Sequence, residues 1–325
     1  MLVAGIESTA HTFGAAVAEE KNGKMRILSN EVSKYPSTQE GYIPRKLADF
    51  HAEHWLETME TALSKAGKEF GQMDAIAYSQ GPGLGHCLHV GWTAAKSLSI
   101  LFGKPIVPVN HTVAHVEVGR WWCKAKDPLV VYVSGGNTQI AALHEKRYHV
   151  FGETMDVGLG NFLDHAGRAL DLKPPDAVGV LLAAPKGKNL VPLPYTVKGM
   201  SVAYAGLLTA LQKLKGKVPV EDLCYSAQEY AFSALVEATE RCLCHTKNPE
   251  VLLCGGNARN KRLQEMLRLM SEDQGVRFCV TPDDLSGDQA GMIAITGLLM
   301  FKAKAIPKEK TPTQKMRLDD QKITW

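Results

Sequence analysis

The chain contains no CxxC pair, and its seven cysteines, at Cys87, Cys123, Cys224, Cys242, Cys244, Cys254 and Cys279, are odd in number and scattered. That pattern excludes a disulfide framework and a zinc ribbon, and points to reduced thiols, buried or half-buried. Cys242, Cys244 and His245 lie close in sequence, but in a helical pattern their side chains splay around the axis. No apolar run approaches the ~20 residues that span a bilayer. The opening MLVAGIESTAH lacks the charged start and small-residue cleavage site of a signal peptide and is expected to form a buried strand. A cytoplasmic protein with no membrane partner is therefore expected. Neither GxxxxGK[ST] nor GxGxxG occurs, which disfavours P-loop and dinucleotide chemistry. The formal charge of +3 neither identifies nor excludes a nucleic-acid partner.

What is present is a pattern that occurs twice. LVAGIEST, TFGAAVAE and MRILSNEV are three short apolar segments, and a helical pattern follows from Ile43 to Gly67. AIAYS, a helix after GPGLG, the strand IVPVN and a helix from about His111 complete the first half. LVVYVSGG, TQIAALHE and RYHVFGET restart the scheme. Helical stretches follow, with a long one from Val220 to about His245, then VLLCGG, the helix NARNKRLQEMLRLMSE, RFCVT and a last helix from DQAGMIA. Two such runs predict an α/β fold duplicated at the level of structure, with halves at 1–127 and 128–325, each a mixed sheet flanked by helices. Ligands of such sheets collect at the carboxyl ends of strands, which places the expected site in a cleft between the halves.

Three glycine-bearing turns follow strands: GPGLG at 81–85, SGGN at 134–137 and CGGN at 254–257. Successive backbone N–H groups in such turns form an anion-binding concavity, so three of them favour a phosphate or nucleotide site over turn chemistry alone. His111 and His115 are spaced to share one helix face, a common metal-ligand arrangement. HTVAH lacks the glutamate of HExxH, so a zinc-protease base is missing. A metal needs further ligands, for which Tyr132 and Asp288 are candidates, although Asp288 would also suit a helix cap. His51 and His54 fall on a mostly polar helix face and are expected in solvent; His86 and His89 flank GPGLG. Positive charge gathers at 120–126, where Trp121 and Trp122 sit, at 186–188 and at 302–310.

Taken together, GIESTAH, SQGPGLG, KPIVPVNHTVAHVEVGR, YVSGGNTQI, FGETMDVGLGNFLD, LPYTVKGM, YSAQEYAFSALVEATER, LLCGGNARNKRL and GDQAGMIA resemble, in order and over nearly the whole chain, the archaeal and eukaryotic tRNA threonylcarbamoyladenosine transferases. These are the catalytic subunits of the KEOPS complex and relatives of the bacterial enzyme once called O-sialoglycoprotease. The resemblance implies a duplicated actin-like, sugar-kinase-like fold and one divalent metal, iron or zinc, on His111, His115, Tyr132 and Asp288. It implies a substrate loop of Tyr132, Val133, Ser134, Gly135 and Gly136, with Glu7, Asp164 and Asn260 also at the ligand, which is ATP, AMP or threonylcarbamoyl-AMP. The implied partners are tRNA and the kinase and small Pcc-type subunits of KEOPS.

The chain departs from the family where a PGGP turn followed by a glutamate is usual. Those positions are Pro175, Asp176, Ala177 and Val178, then Leu181, and Lys261 replaces an asparagine after the second GG turn. Asp176 and Ala177 are expected to crowd the nucleoside, and Leu181 cannot accept a ribose hydrogen bond, a loss of ~0.5–1.5 kcal/mol. A scaffold with impaired nucleotide binding is therefore one alternative. An actin-like ATPase is another, disfavoured because phosphoryl transfer recruits magnesium through carboxylates rather than histidines.

Overall fold

In a computed structural model, which describes residues 1–36 and 43–325, the chain forms two compact units. The first comprises residues 1–121, 145–148 and 287–325; the second comprises 122–144 and 149–286. The sequential halves 1–127 and 128–325 did not anticipate that the stretch from Gly287 onward belongs with the first unit.

The first unit holds β1 (Leu2–Glu7), β2 (Thr12–Lys21), β3 (Lys24–Lys34), α1 (Pro44–Ala66), β4 (Ala75–Gly81), α2 (Gly85–Phe102), β5 (Ile106–Asn110) and most of α3 (His111–Cys123). Its sheet has the order β3-β2-β1-β4-β5; the β1–β2–β3 meander is antiparallel, and β4 and β5 run parallel to β1. The second unit repeats this. β6 (Pro128–Val133), β7 (Thr138–His144) and β8 (Arg147–Glu153) come first, then α4 (Leu159–Ala169), α5 (Ala177–Ala183), the short pair β9 (Val197–Lys198) and β10 (Ser201–Val202), α6 (Ala205–Leu214) and α7 (Val220–Thr246). β11 (Glu250–Cys254), α8 (Lys261–Asp273), β12 (Arg277–Val280) and α9 (Asp283–Ser286) complete it. The order is β12-β11-β6-β7-β8, with β7 antiparallel to β6 and β11 and β12 parallel to it. Reading β6 for β1, β11 for β4 and β12 for β5, the two sheets share one topology.

The last helix, α10 (Ala290–Lys302), is apolar on nearly every face and lies against the first sheet. Such a helix has to be buried on all sides. Small residues permit the approach: a Cβ on Gly5 would stand 2.6 Å from the Ala290 carbonyl, and one on Gly297 would stand 2.2 Å from the Ala77 methyl. Beyond α10 the chain continues across the same unit. The Tyr78 hydroxyl donates to the Lys310 carbonyl, Thr313 N–H to the Gln80 carbonyl (2.8 Å), and Asn110 Nδ2 to the Arg317 carbonyl (2.7 Å). No helix among the described residues is long and apolar enough to cross a membrane.

One expectation fails on α1. His51 is fully buried, with Phe13 edge-on at 5.5 Å, and neither ring nitrogen has a hydrogen-bond partner among the described residues. The face looks polar in sequence because histidine counts as polar, yet α1 turns that residue onto the sheet. Burial drives the imidazole pKa down to about 4, against the pull of the Glu7 charge. A histidine buried neutral contributes stability that is complete above its unfolded pKa of ~6.5 and lost as pH falls toward 4. Between pH 7.5 and pH 5 that loss is about 2 kcal/mol. Denaturant unfolding of wild type and His51→Leu at both pH values should show the variant losing less by that amount; identical pH dependences would contradict the assignment.

Candidate metal centre and anion cradle

In the first unit, β5 passes into α3 without a loop. Asn110 makes this possible: its Oδ1 accepts from the N–H groups of Thr112 (2.9 Å) and Val113 (3.2 Å), the bonding of a helix cap. The apolar strand thus delivers His111 and, one turn later, His115 to the same place, both buried. Their Nε2 atoms lie 3.2 Å apart and their rings are nearly perpendicular at 89°. Asp288 Oδ1 completes a triangle, 3.3 Å from His115 Nε2 and 3.6 Å from His111 Nε2. Asp288 does not cap α10; Gln289 does, accepting from Met292 N–H. The carboxylate is thereby free to face the histidines.

Behind this triangle stands Glu7, at the end of β1 and fully buried. Its Oε2 accepts from His111 Nδ1 at 2.9 Å, and its Oε1 accepts from the Thr9 N–H at 2.7 Å and from the Thr9 hydroxyl. A proton on Nδ1 leaves the Nε2 lone pair pointing at the triangle, the carboxylate–histidine arrangement that fixes a ligating imidazole. Burial disfavours charge on His111, but the Glu7 charge and hydrogen bond and the Asp288 charge overcome it and raise its pKa to about 9. His115 is shifted the other way by burial, only partly opposed by Asp288. Asp288, a quarter exposed, is held well below the ordinary carboxylate range, the His115 hydrogen bond and histidine charges outweighing its desolvation.

His111, His115 and Asp288 could hold a metal ion. The donor set fits. Bonds of ~2.0–2.1 Å in tetrahedral geometry put ligand atoms roughly 3.4 Å apart, and the three edges bracket that figure.

The anion cradle lies in the second unit, at the ends of β6 and β11. Ser134 closes its turn by donating N–H to the Asn137 carbonyl (2.8 Å). The first amides of α4 are already engaged, Gly160 N–H with the Ser134 carbonyl and Asn161 N–H with the Gly135 carbonyl. Gly135 and Gly136 are exposed, and among the described residues neither amide N–H has a hydrogen-bond acceptor. Nothing would meet a Cβ on Gly136 within 4 Å, so the space beside it is open to a ligand. Gly255 differs. Its φ of +94° is one that side chains avoid, and a Cβ there would stand 2.4 Å from the Val133 carbonyl and 3.0 Å from the ring of Tyr132. Tyr132 itself is buried at the end of β6 in this unit.

Other expected positions have structural work. Asn260 caps α8, accepting from Leu263 N–H at 3.1 Å. Asp164 Oδ1 accepts from Ala177 N–H at 2.9 Å, tying α4 to α5. Asp176, expected to crowd the nucleoside, turns its carboxylate onto the N–H groups of Val178 (2.9 Å) and Gly179 (3.3 Å) as the cap of α5. Leu181 is half-buried on that helix. Two amides of the GPGLG turn are taken within the protein: Leu84 N–H donates to the Thr9 carbonyl and Gly83 N–H to the Gln314 carbonyl. His89 bonds the Gly85 carbonyl of its own helix. Thr9 was missed; it belongs to no spacing pattern that would single it out.

The sequence model of the family TsaD, tRNA N6-adenosine threonylcarbamoyltransferase, matches residues 26–295. The chain is 45% identical over 329 residues to the tRNA N6-adenosine threonylcarbamoyltransferase of Thermococcus sibiricus, covering all of both chains. It is 46% identical over 303 residues to a probable bifunctional tRNA threonylcarbamoyladenosine biosynthesis protein of Methanocaldococcus jannaschii, covering 93% of this chain and 56% of that one. Among solved structures it is similar to HypF of T. kodakarensis, with TM-score 0.67 and 16% identity, over 94% of this chain and 48% of that one. The activator of 2-hydroxyisocaproyl-CoA dehydratase from Clostridium difficile matches with TM-score 0.51 and 12% identity, over 95% and 99%. These two likenesses concern the fold alone, and with the repeated sheet topology they bear out the expected duplicated actin-like α/β fold.

Replacing Glu7 by Gln removes the charge behind His111 while keeping its shape. Affinity for zinc, followed by competition with a chelator, should fall about 10- to 100-fold. In the wild type the ion must displace the proton held by His111, so affinity should rise about tenfold per pH unit between 7 and 8. A flat profile would contradict this account of the pair.

Proposed function

Because this chain belongs to the TsaD family of tRNA N6-adenosine threonylcarbamoyltransferases, we propose that it transfers the threonylcarbamoyl group of threonylcarbamoyl-AMP to N6 of the adenosine 3′ of the anticodon in tRNA. The observation that carries this reading is the His111–His115–Asp288 triangle backed by buried Glu7. The N6 amine attacks the donor's carbonyl, a C–N bond forms, and the bond to the phosphate oxygen breaks as AMP leaves. His111, His115 and Asp288 would hold a divalent ion, iron or zinc since both accept these donors, and the chemistry it would supply is Lewis-acid polarisation. In the second unit, the exposed Gly135 and Gly136 amides are the groups proposed to bind a phosphate. Glu7 keeps His111 oriented throughout. None of these residues is a strong nucleophile, and the transfer needs none, because its catalysis is positioning. The proposed setting is the cytoplasm, with tRNA and the kinase and small Pcc-type subunits of KEOPS as partners.

The test is transfer of labelled threonylcarbamoyl from its adenylate to unmodified tRNA, with those subunits present. Wild type should label the tRNA and His111→Ala should not. An absence of label with metal bound and partners assembled would favour the scaffold reading, for which the Ala177 amide taken by Asp164 and the apolar Leu181 are the supporting observations.

Gly136→Ala probes the anion cradle of the second unit. Its methyl meets nothing in the protein, so the thermal midpoint should not move. The methyl takes space a phosphate would need to reach the amide, and holding the phosphate off that one hydrogen bond should lower affinity for AMP about tenfold. Unchanged AMP binding would remove this turn from the site.

A further inference from the structure

Two thiols in the second unit stand apart from the other cysteines. Cys123 ends α3, and the following Lys124 takes a left-handed backbone (φ 53°) that stops the helix. Cys279 sits on β12, the edge strand, opposite Leu252 of β11. Its side chain forms a small buried cluster with Ala125 and Leu252, and Cys123, itself half-buried, packs against that cluster. Cys123 Sγ donates to the Val280 carbonyl at 3.5 Å, and Cys279 Sγ to the Val251 carbonyl at 3.4 Å. The Arg277 guanidinium donates to the Cys123 carbonyl at 2.5 Å and holds Glu250 at 2.9 Å. We infer that Cys123 and Cys279 form a dithiol–disulfide couple, a modification site for low-molecular-weight disulfides. The inference is independent of the transfer reaction.

The two thiols are unequal in the way such a couple needs. The neighbouring Cys279 thiol and the positive charge of Arg277 lower the Cys123 pKa against its burial. Its nearness to Cys123, together with burial, raises that of Cys279. Cys123, half-buried where Cys279 is buried and with the Arg277 guanidinium on its own carbonyl, is therefore the attacking thiol that a reagent can reach. The other buried thiols contrast with it: burial pushes Cys87 and Cys224 up to about 11 and Cys242 up to about 12. In the first step the Cys123 thiolate attacks one sulfur of oxidised glutathione, and one glutathione thiolate leaves. Cys279, losing its proton to solvent, then attacks the Cys123 sulfur and expels the second glutathione. The protein dithiol is oxidised by two electrons, glutathione disulfide is reduced by two, and both protons end on the released thiols. The product fastens the last turn of α3 to β12.

The test uses the folded full chain with exposed Cys244 replaced by Ser, oxidised glutathione as the probe, an alkylating quench and peptide mass mapping. The expected result is loss of two thiols, one cross-linked peptide pair containing Cys123 and Cys279, and full reversal by dithiothreitol. Cys279→Ser should stop at a glutathione adduct on Cys123, and Cys123→Ser should give no cross-link. A persistent adduct on Cys123 in the protein that retains Cys279, a cross-link to any other cysteine, or a Cys123 no more reactive than Cys224 would each overturn the proposal. The map of the protein retaining both thiols decides the matter even if Cys279→Ser does not fold.

Discussion

The hydrogen bond between Glu7 and His111 is the constraint around which the first unit is arranged. A carboxylate with no exposure costs several kcal/mol unless every oxygen is engaged. Here both oxygens are, by Thr9 on one side and the imidazole on the other. The pair needs three pieces of chain at one point. β1 must end at Glu7, β5 must turn into α3 at Asn110, and α10 must lie close enough for Asp288 to arrive just before it. The small residues that let α10 meet the sheet, Gly5 and Gly297 among them, therefore serve the site as well as the core.

The repeated topology gives the second unit the same places to fill, and it fills them with different chemistry. β1 ends in Glu7, followed by Ser8 and Thr9; its counterpart β6 ends in Val133, followed by Ser134, Gly135 and Gly136. One strand end presents a buried negative charge, which suits orienting a cationic centre. The other presents exposed amide N–H groups, which suit an anion. One topology thus supplies opposite polarities at corresponding strand ends.

Much of this was legible in the sequence. Short apolar strands and long helical periods marked the elements, and two histidines one turn apart after an apolar run marked two corners of the metal triangle. What could not be read was anything that depends on who neighbours whom. The GPGLG turn looks like an anion site until Thr9 and Gln314 are seen to take two of its amides. His51 looks solvated until α1 is laid on the sheet, and Asp176 looks like an obstacle until it caps α5. Glu7 and His111 are separated by 104 positions and by β4 in the sheet order, so no local pattern links them. The departures near Asp176 also lose some of their weight, because a capping carboxylate is turned into its own helix rather than toward a ligand.

The most direct test of the central claim is X-ray absorption on the zinc-loaded protein. The account predicts nitrogen and oxygen donors at about 2.0–2.2 Å, with the multiple scattering of two imidazoles and no sulfur. A sulfur shell at about 2.3 Å, or a spectrum without imidazole scattering, would contradict it.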